Sequence, residues 1–251
     1  MRVLHCFTFG KALGLAGVAA ILGTGLLSVQ SAKAGSVDWA YWSSMYVQGT
    51  VTGVATATIT PSVSVIYSGE VESVRIDYPS WTPTTSYAGG TVGNAPPALG
   101  NIVQLYGGLN TTDTVTFSTP VVNPVMAIWS LGAGGHPAEF DFPANEAPTI
   151  EAGGLSAEYG GGSIYLVPTM PLDVGGQEGN GTIQFTGTFS SLSWTNPLSE
   201  DWYGFTVGTQ VGVGSSAPVP LPGSFQVGSV LLLGLLAWRG IKSFNRAQRL
   251  A

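Results

Sequence analysis

The 251-residue chain contains a single cysteine, Cys6, and it stands ahead of the first long apolar run rather than at its end. A lipidated export signal needs its cysteine at the cut, so the position of Cys6 argues against lipidation. From Gly35 onward there is no cysteine at all. No disulfide can stabilise that part, which must rely on a packed core or on bound ions. Basic residues are nearly as scarce. Between Gly35 and Ala217 the only one is Arg75, set against all fourteen acids of the chain, a net charge of −13 with histidine neutral. Such a surface repels nucleic acid, whose phosphates need Lys and Arg. It also repels anionic polysaccharide unless a cation bridges the two. Neutral glycans and divalent cations remain compatible. His136 is the only histidine in this stretch. One histidine excludes a His-rich zinc or copper site. A Ser-His-Asp triad would have to use it in the turn-like run Gly134-Gly135-His136-Pro137, and no Gly-x-Ser-x-Gly elbow accompanies it.

The missing cations are at the two ends. Arg2 and Lys11 precede and open an apolar run, Ala12 to Val29, and Ala32-Lys33-Ala34 is a small-x-small cleavage site. Residues 1–34 therefore read as a secretory signal helix, cut after Ala34 to leave Gly35. An uncleaved N-terminal anchor is the alternative. At the other end, Phe225 to Trp238 carries no charge and five of its fourteen residues are leucine. This predicts a transmembrane helix over about 223–238, at the short end of the usual range of about 17–25 residues. Arg239, Lys242, Arg246 and Arg249 follow without an acid. The positive-inside rule puts this basic tail, 239–251, in the cytoplasm and the domain outside.

Just before the span stands Val219-Pro220-Leu221-Pro222. Its two prolines favour an extended backbone, suited to a protease cleft. A Pro-containing motif, an apolar helix and a basic cluster in this order resemble the PEP-CTERM protein-sorting signals, the substrates of exosortases. The motif here is the Val-Pro-Leu-Pro variant. Phe117-Ser118-Thr119-Pro120 with Asn123 to Gly132, and Trp194 through Trp202-Tyr203-Gly204-Phe205, are similar to stretches in uncharacterised exported domains of that family. The resemblance implies export across the inner membrane, an exosortase-like processing protease as partner, and a cell-surface or extracellular matrix protein associated with exopolysaccharide and biofilm. It implies no enzymatic activity.

Between the ends, 35–210 is rich in Gly, Thr, Ser, Val and aromatics, a composition of strands and turns. Period-two alternation marks Tyr41 to Thr60, Ser62 to Tyr67, Val71 to Asp77 and Thr114 to Thr119. Pro124 to Leu131 is almost wholly apolar and reads as a strand buried on both faces. Gly181 to Phe189 reads as one strand. Leu192 and Trp194 have the opposite parity, which calls for a bulge or turn at Ser190-Ser191. Asn101 to Gly108 suits either a helical turn or a short strand. Pro79 to Gly100 holds four prolines and four glycines, so it is neither helix nor central strand. A loop this long is functional or disordered. The expectation is an all-β domain, an antiparallel β-sandwich of jelly-roll-like topology over 35–210. A Gly/Ser/Pro linker (211–218) and the sorting signal (219–251) follow.

Candidate ligand sites are few. Trp39, Trp42 and Trp81 could stack on sugar rings if exposed, giving a carbohydrate-binding module, although aromatics more often serve cores. Glu139, Asp141 and Glu146, with Asn145, lie close in sequence, and Asp173, Glu178 and Asn180 form a second group. Both suit calcium, which takes carboxylate and carbonyl oxygens in loops. Neither matches a known loop motif, and a solvated acidic face is the alternative. Carboxylate pairs of the glycosidase kind are Glu139 with Asp141, and Glu200-Asp201 beside Trp202. No catalytic residue is assigned.

Overall fold

The computed structural model describes residues 34–48, 52–75, 80–99, 101–200 and 202–211. Ala32, Val219, Pro220, Leu221, Pro222, Arg239, Lys242, Arg246 and Arg249 lie outside them. So do the signal and transmembrane helices and the linker beyond Val211. Among the described residues no helix is long and apolar enough to cross a membrane.

The architecture is organised about Val125–Leu131 (β8), whose seven residues are all buried. Met126, Ile128 and Leu131 face the main core, whereas Val125, Ala127 and Trp129 belong to a second apolar cluster on the other face. An unbroken apolar run is the signature of a strand covered on both sides, and β8 fits it. It pairs antiparallel with Gly179–Phe185 (β14) and with Tyr203–Gln210 (β16). Beyond β14 lies Pro148–Gly154 (β10), and beyond β16 lie Ile102–Leu105 (β6) and Ser73–Arg75 (β5). Val37–Trp39 (β1) pairs with the far half of β16, and Gly162–Ser163 (β11) adds a short parallel pair to β14.

The second sheet also has eight strands. A meander of Tyr41–Gln48 (β2), Thr52–Thr60 (β3) and Val63–Glu70 (β4) leads to Leu109–Val122 (β7). Thr188–Asn196 (β15), Ala138–Asp141 (β9), Met170–Gly176 (β13) and Tyr165–Val167 (β12) complete it. The two sheets are antiparallel and face each other as a β-sandwich. Tyr67, Val115, Phe117, Phe140, Leu192 and Trp194 from the second sheet pack against Leu105, Met126, Ile128, Ile183, Tyr203 and Phe205 from the first. Trp194 meets Phe205 edge-on at 5.1 Å and Tyr67 stacks on Trp194 at 6.0 Å. Each side chain of this kind, fully buried, contributes about 1.5–3 kcal/mol relative to exposure.

Two expectations change, and the structure selects the strand of the two alternatives at Asn101 to Gly108. The Gly181 to Phe189 run is two strands, because the chain turns at Gly187, where φ is +137°. Phe185 therefore ends β14 and Phe189 belongs to β15, in the other sheet. The predicted irregularity after Phe189 is present as a register shift between Phe189 and Ser191. Ile102 to Leu105 is a strand, all four residues buried. The Pro- and Gly-rich segment is a cover: residues 80–99 lie over the outer face of the first sheet, where Trp81, Tyr87 and Val92 pack with Trp39, Ile102, Val125, Ala127 and Trp129. Asn94 ties this cover to β1, its side chain accepting from Val37 N at 2.6 Å and donating to Val37 O at 3.0 Å.

Candidate functional site

Three groups of polar residues stand out, and topology rather than sequence proximity assembles each of them. The first is a cleft at the sandwich end where β8 leads to β9, β13 to β14 and β15 to β16. Ser130, Ala133, Tyr159, Glu178, Glu200 and Trp202 line a cavity of approximately 110 Å³. Ala133 and Glu200 are shared with a larger one of approximately 420 Å³, which adds His136 and Ser199 and lies in the size range of small-ligand sites. Aromatic rings step outward from the core here. Buried Trp129 lies 4.7 Å from half-buried Trp202 and 5.5 Å from Tyr159, and Tyr159 meets Trp202 edge-on at 5.7 Å. Tyr159 is 47% exposed.

The carboxylates of the cleft are held in place. Glu200 accepts from Gly132 N at 2.8 Å and from Trp202 N at 3.3 Å. Glu178 accepts from the Ser130 hydroxyl. Ser130 and Glu178 both have left-handed backbones, with φ of +54° and +53°. Non-glycine residues in that region are strained by about 1–3 kcal/mol each, and such strain gathers at functional sites. Gly132, φ +73°, closes the same corner: a Cβ there would stand 2.4 Å from Gly176 O.

The second group lies on the outer face of the second sheet. Along β9, Ala138 and Phe140 point into the core, so Glu139 and Asp141 point away from it. Asp173 on β13 is the cross-strand partner of Asp141, and Gly175 that of Glu139. One carboxylate oxygen from each of Glu139, Asp141 and Asp173 lies within 4.8 Å of the other two. Burial, and then the charges of Asp173 and Glu139, push Asp141 up to about 6. Burial raises Asp173 and, with the Asp173 charge, Glu139.

The third group is interior. Asp113 accepts from Glu70 N at 2.6 Å and from the Tyr67 hydroxyl at 3.0 Å. Burial pushes Asp113 up to about 7 against the pull of these bonds. Glu70 accepts from Tyr106 N at 2.9 Å and is likewise raised by burial. Gly69 admits the Asp113 carboxylate, for a Cβ there would lie 2.0 Å from its Oδ1.

The tryptophan candidates for glycan contact do not form an exposed platform. Trp42 is fully buried between the sheets, its Nε1 donating to Thr206 Oγ1 at 3.1 Å. Trp81, a residue of the cover segment, is fully buried against the sheet, and Trp39 beneath the segment is 9% exposed, its Nε1 donating to Asn94 O at 3.2 Å. The packing of Trp81 and Trp39 at the 80–99 segment shields the outer face of the first sheet. Of the five acids named for calcium, Glu139, Asp141 and Asp173 come together and two do not. Glu146 is buried against β15, accepting from Ser193 N at 2.6 Å, and Glu178 faces the cleft. Asn145 is exposed, and Asn180 is buried, its Oδ1 accepting from Tyr87 and from Ser130 N. Glu139 and Asp141 are strand residues, not loop residues, so the pairing of β9 with β13 unites the two groups. Sequence reasoning missed Tyr159 and Glu178 as neighbours of Trp202 and Glu200. The unusual Gly-Gly-Gly run after Tyr159 was the available signal of a loop folded over a site. In comparisons with known proteins, no family model, no curated protein and no solved structure matches this chain.

Proposed function

We propose that the protein is an exported, non-enzymatic surface or matrix protein whose domain contacts neutral glycan through the cleft of Tyr159, Glu178, Glu200 and Trp202. The observation that carries this reading is the coincidence, at one cavity, of a stepped aromatic wall with two anchored carboxylates and two strained backbones. Aromatic faces stack on the apolar faces of sugar rings, while carboxylates accept from sugar hydroxyls, and a few fixed polar groups orient the ligand. The charge of −13 selects against anionic chains. In this reading the signal segment delivers the domain across the inner membrane, and a jelly-roll-like sandwich displays it. The VPLP motif and basic tail mark the chain for an exosortase-like protease, which removes them to leave the domain at the cell surface or in an exopolysaccharide matrix.

Affinity electrophoresis and calorimetry with neutral polysaccharides test the binding. Trp202→Ala and Tyr159→Ala each weaken retention at least about tenfold, the scale of a lost hot-spot aromatic. Equal retention of the variants and the wild type would reject the cleft. Release of new reducing ends would make it a hydrolase, with Glu178 and Glu200 as the acid pair. Intact mass of the surface form tests the sorting: a C-terminus near Val219 to Pro222 supports it, and one at Ala251 refutes it.

A further inference from the structure

Asp141 and Asp173 are directly opposed like charges on an antiparallel pair, an arrangement that destabilises a sheet unless something compensates it. Among the described residues no cation is placed to compensate it. There is no lysine in 35–211, and Arg75, the one arginine, lies on β5 in the other sheet. Asp173 is only 6% exposed, yet no hydrogen-bond donor among the described residues meets its carboxylate. Asp141 Oδ1 is fully buried and also has no partner. A carboxylate drawn this far from water without a donor is costly, and a metal ion is one of the few partners that resolves it. Oxygen donors alone, with no nitrogen or sulfur, select a hard cation. Three carboxylates from two strands, whose spacing the sheet holds rigid, stand close enough to share one such ion. Tyr165 walls one side: its ring lies over Gly175, where a Cβ would come within 2.9 Å of it. Gly175 is the cross-strand neighbour of Glu139, so no side chain there crowds the third ligand.

We propose that Glu139, Asp141 and Asp173 form a binding site for a hard divalent cation of the calcium class on the outer face of the second sheet. The cation cross-links β9 to β13 and replaces the repulsion between them with a shared counter-charge. Calcium suits the site better than magnesium, because it tolerates irregular geometry and open coordination positions. Affinity falls in the range of about 10⁻⁴–10⁻³ M, typical of extracellular modules.

The test uses the full-length chain in mild detergent, stripped with chelator and titrated with calcium chloride at pH 8 and constant ionic strength. Tm rises saturably for the wild type. Asp141→Asn and Asp173→Asn each weaken the midpoint by at least about tenfold, since even changes behind the ligands of a metal cost about 10–100-fold. In chelator alone these variants melt no lower than the wild type, because they relieve repulsion. Should either fail to fold, Glu139→Gln carries the test from a half-buried strand position. Terbium supplies an independent readout: emission sensitised through Tyr165 appears on binding, is displaced by calcium and is lost in Asp141→Asn/Asp173→Asn. A wild-type Tm indifferent to calcium, or a calcium response equal in wild type and variants, overturns the proposal. So does terbium emission that survives both substitutions.

Discussion

Asp113 and Glu70 sit between the sheets and are met by donors, whereas Asp141, Asp173 and Glu139 sit on the far face of one sheet and are met chiefly by one another. The interior pair receives Tyr67, Glu70 N and Tyr106 N, and its geometry depends on Gly69 leaving room. The outer triad receives no donor from the described residues and concentrates three carboxylates within 4.8 Å. The contrast shows two solutions to one problem. An almost cation-free domain can hold a buried acid by neutral hydrogen bonds to one of its oxygens, provided the fold brings backbone N–H groups and hydroxyls to it; Asp113 Oδ2 and Glu70 Oε2 are buried without a partner. On a strand face the backbone groups are already committed to the ladder, so compensation has to come from solution.

The comparison breaks most severely at Asp113. Asp113→Ala strands Glu70 N in the core, whereas the Tyr67 hydroxyl keeps the Glu70 carbonyl as acceptor. A loss of about 1–3 kcal/mol in urea unfolding is expected, the cost of one unsatisfied buried group. A loss below about 1 kcal/mol would mean that the interior acid is not held as described. The next largest effect is on pH dependence. Asp113 titrates near 7 in the folded protein and near 3.8 when free, so between these values the folded state holds a proton that the unfolded chain has released. Stability therefore falls as pH rises from about 4 to about 7, and this contribution levels off above. The burial-raised Glu70 acts in the same direction. Unfolding free energies from urea titrations should decline from pH 5 to pH 8 by an amount on the order of 1–3 kcal/mol, and Asp113→Asn should flatten the slope. A midpoint rising with pH would contradict this assignment. The smallest effect is at the outer triad without added cation. Asp173→Asn removes a facing like charge and should gain about 0.2–1 kcal/mol at pH 8, the size of a cross-strand charge term. A loss there would show that Asp173 already has a partner.

Much of the strand pattern was legible because burial on one side of a sheet imposes a period of two. Val63, Val65 and Tyr67 share a parity, as do Val115 and Phe117, and the structure buries Val65, Tyr67, Val115 and Phe117. The apolar run of β8 announced cover on both faces. The cleft and the triad were much less legible. Alternation says that Glu139 and Asp141 share a face but not what stands opposite, and Asp173 arrives from thirty-two positions further along the chain through the β9–β13 pairing. Tryptophan identity was a poor guide to exposure for the same reason: Trp39 has the parity of an outward residue relative to the main core, yet a loop lies over that side.

Residue types and their local order alone determined that this domain carries no disulfide, that it is strongly acidic, and that strands such as β3, β4 and β9 alternate. These properties follow from residue type and local spacing, which survive any arrangement of the strands. The tertiary structure alone decided which face of the first sheet is roofed, which aromatic rings line a cavity, and which acids are forced together. Each of these depends on contacts between segments distant in sequence, and strand order and register settle them only when the whole sandwich closes.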